Sequence, residues 1–226
     1  MPNCTPRFLA LASTVALLGM TAGCASMSKT GNGAVIGAAA GGLAGAVIGN
    51  NTGSTARGAI IGAVVGGASG ALIGRQMDKQ SRELAARIPG ATVERVGEGI
   101  QVTFASGLLF DIDSDVVRGN ARSNLNQLAL SLDKYPNTNL LIAGHTDATG
   151  TSEHNRDLSV RRAESASRYL ASRGVRRSID TRGLGETEPV ATNDNESGRQ
   201  KNRRVEVAIF ASPALTQEAK RQVGGQ

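Results

Sequence analysis

The chain has no tryptophan, and aromatic residues make up only 3% of its 226 positions. Sugar rings and single-stranded nucleic acid are usually gripped on aromatic faces, so such a chain has little to offer either. The net charge of +6 and the pI of about 9.9 do favour anionic partners. Yet the arginines are scattered and form no tract of five or more, so nucleic acid is not an expected partner. Histidine is scarce too: His145 and His154 are the only two. With Asp147 they suggest a metal or acid/base site. No third histidine or cysteine completes a usual metal set, and no nucleophile is paired with an evident base. Catalysis is the rival class, and a zinc-dependent activity lost with chelator would revive it. No cofactor and no metal are expected.

Cysteine is equally rare, at Cys4 and Cys24. The first 24 residues, "MPNCTPRFLALASTVALLGMTAGC", begin with one basic residue, Arg7. An uncharged apolar run from Phe8 to Met20 follows, then small residues up to Cys24. This is the layout of a secretory signal, with an apolar middle too short to span a bilayer. A plain signal peptide or a membrane anchor is the alternative. "TAGC" resembles a bacterial lipobox, with Thr21 where leucine is preferred. That resemblance implies residues 1–23 as a lipoprotein signal and Cys24 as the lipidated mature N-terminus. Each buried methylene contributes about 0.8 kcal/mol, so several acyl chains anchor firmly. Cys4 leaves with the signal, so no intramolecular disulfide remains possible in an oxidising compartment. Ala25 and Ser26, without aspartate at the second mature position, resemble the outer-membrane sorting pattern of Gram-negative lipoproteins, with the domain facing the periplasm.

Glycine is what the chain has in excess, with 29 residues. Gly33, Gly37, Gly41, Gly45 and Gly49 recur every fourth residue, as do Gly58, Gly62, Gly66, Gly70 and Gly74. Alanine, valine, isoleucine and leucine fill the intervals, and "NNTGSTAR" separates the ladders. Each glycine costs an exposed helix about 1 kcal/mol relative to alanine. A loop, in turn, would expose the valines and isoleucines. Four-residue spacing puts the glycines on one helix face and lets another backbone approach closely. Each ladder would span roughly 25 Å as a helix. An antiparallel helical hairpin over 33–75 is expected, in a bilayer or in a homo-oligomer. A low-complexity spacer is the alternative. The ladders hold no acidic residue to carry protons through a membrane.

A linker (24–32) precedes the ladders and a polar, helix-compatible connector (76–96) follows them, ended by Pro89-Gly90. "GIQVTFA" (99–105) then reads as a strand. Leu125, Leu128, Ala129 and Leu132 show helical spacing, stopped at Pro136. "NLLIAGH" is a strand, Asn155 to Arg173 a helix closed by Gly174, and "SIDTRGL" and "RRVEVAIF" two more strands. The order β-α-β-α-β-β fits an α/β sandwich with helices on one face of a mixed sheet. The tail, 212–226, shows no pattern and is expected to be loose.

"GHTDATG" (144–150) puts Asp147 in a glycine-bracketed turn feeding the second helix. On that helix Ala163, Ala166, Tyr169 and Leu170 define the core side, whereas Arg161, Glu164 and Arg168 point away. Asn155, Ser159 and Arg162 fall on the inward half nearer the turn. An inward guanidinium needs a partner. One reading is a structural Asp147–Arg162 ion pair. The other is a divided site, a carboxylate for an ammonium and a guanidinium for a carboxylate: a receptor for a zwitterion, helped by the helix N-terminus.

The stretch "GHTDATGTSEHNRDLSVRRAESASRYL", with "FDIDS" upstream and "NRRVE" downstream, resembles the OmpA-like peptidoglycan-binding family over roughly residues 97–211. The ladders resemble those of glycine-zipper outer-membrane lipoproteins. The family resemblance implies non-covalent, non-catalytic binding of meso-diaminopimelate in the peptidoglycan peptide stem. It assigns that contact to Asp147 and Arg162. Asn155, Leu158 and the chain from Phe110 through Asp111 and Ile112 to Asp113 resemble the rest of the pocket, and Arg203 matches a family arginine near it. Peptide-stem recognition also fits a chain without an aromatic sugar platform.

Overall fold

The computed structural model describes residues 54–225. The signal, Cys24, the first glycine ladder and hence the two-armed hairpin lie outside the described residues.

The second ladder runs through two helices, α1 (Thr55–Gly62) and α2 (Gly67–Arg87). The break falls at Gly66 and Gly67, whose φ angles of 71° and 65° lie in the left-handed region that glycine enters cheaply. The Glu98 carboxylate accepts the Val65 and Gly66 N–H groups at 2.8 and 2.9 Å. A negative charge is thereby fixed at the α2 N-terminus. A Cβ at Gly70 would sit 2.0 Å from Glu98 Oε1. This glycine makes room for a carboxylate rather than for another helix. α2 then continues through the expected connector to Arg87, ahead of Pro89.

Five strands follow: β1 (Ala91–Val96), β2 (Gly99–Ala105), β3 (Thr138–His145), β4 (Ile179–Gly185) and β5 (Arg204–Ala211). They form one mixed sheet in the order β1-β2-β5-β3-β4, antiparallel except for the β3/β4 pair. Between them lie α3 (Ser106–Leu109), α4 (Ala121–Lys134), α5 (Ser152–Ser172) and α6 (Glu196–Asn202). Helix α4 ends at Tyr135, because the residue before Pro136 is pushed out of helical geometry. Helix α5 starts at Thr151, whose hydroxyl accepts the His154 N–H, and gives way to Gly174 at φ 89°.

The main core lies between one sheet face and helices α2, α4 and α5. Ile100, Val102, Phe104, Leu140, Ile142, Val207 and Ile209 from the strands meet Ile73, Met77, Leu125, Leu128, Ala163 and Leu170. This is the expected helical layer. A further helix covers the opposite face: Ala56, Ala59, Ile60 and Ala63 of α1 pack on Leu141, Ala208 and Phe210. Gly99 leaves the notch for it, since a Cβ there would lie 2.4 Å from Ile60 Cγ2. Polar contacts fasten α1 as well. Ser54 Oγ donates to Glu206 at 2.8 Å, Thr55 Oγ1 to Glu188 at 2.5 Å, and Arg57 Nε to Gln101 at 2.9 Å. The start of the second ladder is thus built into the globular unit, which extends N-terminal to the expected boundary at residue 97.

Strand β1 falls within the segment expected to be a connector. "ATVERV" begins in alternation, but Thr92, Glu94 and Arg95 make half its positions polar, as suits a half-exposed edge. The tail is also ordered differently from expectation. Pro213–Gly224 forms helix α7, capped by the Ser212 hydroxyl and opened by proline. Only Leu215 and Ala219 anchor it to the core, too few positions for a period to stand out.

Candidate functional site

Glycines seat the helix that carries the site. Gly144 and Gly183 face each other on β3 and β4. A Cβ on Gly144 would lie 2.2 Å from the Ser159 carbonyl oxygen, and one on Gly183 would lie 2.4 Å from the Val160 nitrogen. Helix α5 therefore rests its backbone directly on the sheet. Ser159 bonds twice: its hydroxyl donates to the Arg156 carbonyl and accepts the Gly185 N–H at 2.9 Å. This inward serine is structural.

The register of β3 shifts between Gly144 and His145, and the chain then turns into Thr146 and Asp147. Asp147 is 6% exposed. Its Oδ1 accepts the Thr149 N–H at 2.8 Å, the usual turn bond of an aspartate. Its Oδ2 is held by Arg203 Nη1 at 2.5 Å. Arg203 reaches Glu196 Oε1 with its other terminal nitrogen, also at 2.5 Å. Burial alone would raise the Asp147 pKa. The bonds from Arg203 and Thr149 outweigh it and hold the carboxyl below its ordinary value. Burial likewise opposes the charge on Arg203, and Glu196 and Asp147 reverse that, raising its pKa.

Arg162 does not pair with Asp147. It is 4% exposed, and its Nε and Nη2 donate to the carbonyls of Ser114 and Asp111 at 2.9 and 3.2 Å. Its guanidinium lies 5.5 Å from the Phe110 ring centre. Burial lowers its pKa, with Asp113 and Asp115 acting in the opposite direction. The structural Asp147–Arg162 ion pair is therefore absent. The inward arginine finds its partners in the backbone of the 110–117 loop, closed at its base by the Phe110–Val117 bridge.

Between that loop, the Asp147 turn and α6 opens a cleft of about 740 Å³. It is lined by Phe110, Asp111, Ile112, Asp113, Asp147, Asn155, Leu158, Arg162 and Arg203, so every binding residue expected from the sequence borders one space. Asn155 fixes its wall, donating to the Thr149 carbonyl at 3.1 Å and to Glu186 Oε2 at 2.7 Å. Ile112 is 99% exposed at the lip. Sequence reasoning missed Ser106, Thr146, Thr149, His154, Glu196 and Arg199, which also line the cleft. For Glu196 and Arg199 the available signal was "NESGR", an N-cap asparagine before a short helix.

The two histidines part company. His145 is fully buried beside the Arg204–Glu206 pair, on the sheet face that α1 covers, and does not line the cleft. Burial, and then the Arg204 guanidinium, push its pKa well down. Its 3.8 Å approach to Glu206 is accordingly a contact of a neutral ring, since that carboxylate is already held by Arg204 and Ser54. Among the described residues no group of histidine, cysteine, aspartate and glutamate is arranged to hold a metal ion, and no helix is long and apolar enough to cross a membrane.

A mixed five-stranded sheet that presents a carboxylate and a guanidinium from separate walls of one cleft defines a small α/β binding domain. The chain belongs to the OmpA family: the OmpA family model matches residues 109–203. It is 35% identical over 116 residues to the peptidoglycan-associated lipoprotein of Brucella melitensis, covering 51% of this chain and 69% of the relative. A YMGG-like Gly-zipper model matches residues 6–78. The probable lipoprotein YiaD of Escherichia coli is 35% identical over 136 residues, 59% of this chain and 62% of that protein. The outer membrane porin F of Pseudomonas fluorescens is 44% identical over 103 residues, 45% of this chain and only 32% of the porin. This chain thus spans less than two thirds of those last two relatives. Among solved structures, the cell wall anchor of the T6SS from Pseudomonas aeruginosa aligns with a TM-score of 0.51 at 32% identity, over 62% of this chain and 97% of the anchor.

Proposed function

We propose that this chain binds peptidoglycan non-covalently through the meso-diaminopimelate of its peptide stem and tethers the outer membrane to the cell wall. One observation carries the reading: Asp147 and Arg162 border the same cleft without neutralising each other. A free amino-acid centre carries an ammonium and a carboxylate on one carbon. Asp147 receives the ammonium, and Arg162, still carrying Nη1 donors beyond its two loop bonds, receives the carboxylate. Both side chains are nearly buried, so the low local dielectric strengthens each contact. Binding asks Asp147 to share its Oδ2 with a second cation, while Glu196 steadies Arg203. Similarity to a peptidoglycan-associated lipoprotein and to a cell wall anchor supports the same reading.

Lipidation at Cys24 would supply the membrane end of the tether, with outer-membrane sorting and a periplasmic domain. A second reading, self-association through the glycine ladders, is favoured by the zipper match over 6–78. The test of the first is a pull-down with purified sacculi. Binding that diaminopimelate competes away supports it. Binding unaffected by diaminopimelate, or no binding, refutes it. Mass spectrometry of the mature N-terminus tests the anchor, and an unmodified Cys24 would remove it.

A further inference from the structure

The loop from Asp111 to Val116 is built inside out. Its apolar residues face solvent, Ile112 at 99% and Val116 at 72% exposure, while polar bonds hold it inward. Apolar packing therefore does not fix its tip. Arg162 takes the carbonyls of Asp111 and Ser114, on either side of Asp113. Asp113 itself has φ 52°, the only positive φ outside glycine among the described residues. Such a conformation costs a non-glycine residue about 1 kcal/mol or more and persists where the surroundings hold it.

Arg118 reaches the Asp111 carboxylate and Ser165 the Asp115 carboxylate, both at 3.4 Å, but the hold on Asp113 itself is His154. Its Nε2 lies 2.8 Å from Asp113 Oδ1. His154 stands one turn before Leu158 and two before Arg162, so a single row of α5 meets the loop at both ends. All three residues line the cleft. We propose that the His154–Asp113 hydrogen bond is a latch that positions the 111–114 backbone for ligand, making His154 a positioning residue of this binding site. The proposal rests on the stem-binding function above. Preorganising a loop in its bound form raises affinity by removing the ordering cost from the binding step. The latch is solvent-exposed, with side chains 48% and 63% accessible, so its effect is small. Exposed pairs contribute about 0.2–1 kcal/mol, or up to about fivefold in affinity.

The test uses the whole chain, with His154→Ala, Asp113→Gly, the double variant and His154→Gln. Asp113→Gly removes the carboxylate while keeping the left-handed backbone accessible. Amide hydrogen exchange is read without ligand, and the Kd for a diaminopimelate-containing muropeptide by calorimetry. Each single variant should speed exchange at residues 111–116 alone and weaken binding about twofold to fivefold. The double variant should be no weaker than the worse single one, and His154→Gln, which keeps a donor, should recover most of the loss. Wild-type exchange in His154→Ala, or multiplying losses in the double variant, overturns the latch. Failure of the wild type itself to bind the muropeptide refutes the stem-binding function and, with it, a latch serving that ligand. Exchange then still reports whether His154 orders the loop.

Discussion

Asp147 is bonded to Arg203, not to Arg162: the 2.5 Å contact joins the turn after β3 to the residue just before β5. Antiparallel pairing of those strands, with Gly144 opposite Val205, puts the two positions side by side. The Asp147 pKa is depressed, so its contribution to stability is present above the unfolded value near 3.8 and is lost as pH falls through the folded value. Arg203→Ala should raise the Asp147 pKa, as read by carboxyl NMR titration. An unchanged titration would show that Thr149 alone sets it.

His145 gives a second probe on the acid side, nearer neutrality. Its folded pKa lies well below the ordinary imidazole value of 6.5, so the native state binds fewer protons than the unfolded chain. Stability should be full above that value and fall as pH drops below it, with a slope approaching about 1.4 kcal/mol per unit. Urea unfolding between pH 7 and 5 measures the slope. His145→Asn should flatten it. A wild-type profile already flat from pH 7 to 5 would mean the ring is not held neutral.

Helix α1 should stabilise the domain. Ile60→Ala removes a side chain that is 1% exposed against the sheet and should cost about 2–4 kcal/mol. If the second ladder were only a tether, denaturant midpoints would not move. Substitution at Gly66 would test zipper association poorly, because leucine at φ 71° is strained whatever the partner. Gly41→Leu with Gly45→Leu leaves Gly66 in place. It should weaken cross-linked oligomers while leaving sacculus binding intact, and unchanged cross-linking would favour a spacer.

Strands β2 and β3 and helix α4 were legible because their apolar residues follow one period and turn residues bound them. The inward place of Arg162 was legible for the same reason, since one helix face must be wholly core or carry something. Its partners were not: the carbonyls of Asp111 and Ser114 belong to a loop some 50 residues away and carry no side-chain signal. Arg203 matched a family residue, but its hold on Asp147 exists only once β5 lies beside β3. The α1 contact escaped because the ladder's glycine spacing suggests a helix partner, whereas Gly99 on the sheet supplies the notch. His154 was weighed as a metal or acid/base group, and its hydrogen bond to Asp113 depends on a left-handed backbone that no spacing announces.

The central claim is that Asp147 and Arg162 together read one zwitterionic centre. Calorimetric titration of the folded chain with a muropeptide carrying meso-diaminopimelate, beside one carrying lysine at the same position, tests it most directly. The account predicts binding of the first and not the second, because lysine in the stem lacks the free side-chain carboxylate that Arg162 would hold. Asp147→Ala and Arg162→Ala should each lower the affinity about 30-fold or more, as expected for losing a charged bond in a nearly buried site. Circular dichroism and the denaturant midpoint establish that each variant is folded. Equal binding of both muropeptides, or wild-type affinity in either folded variant, would contradict the account.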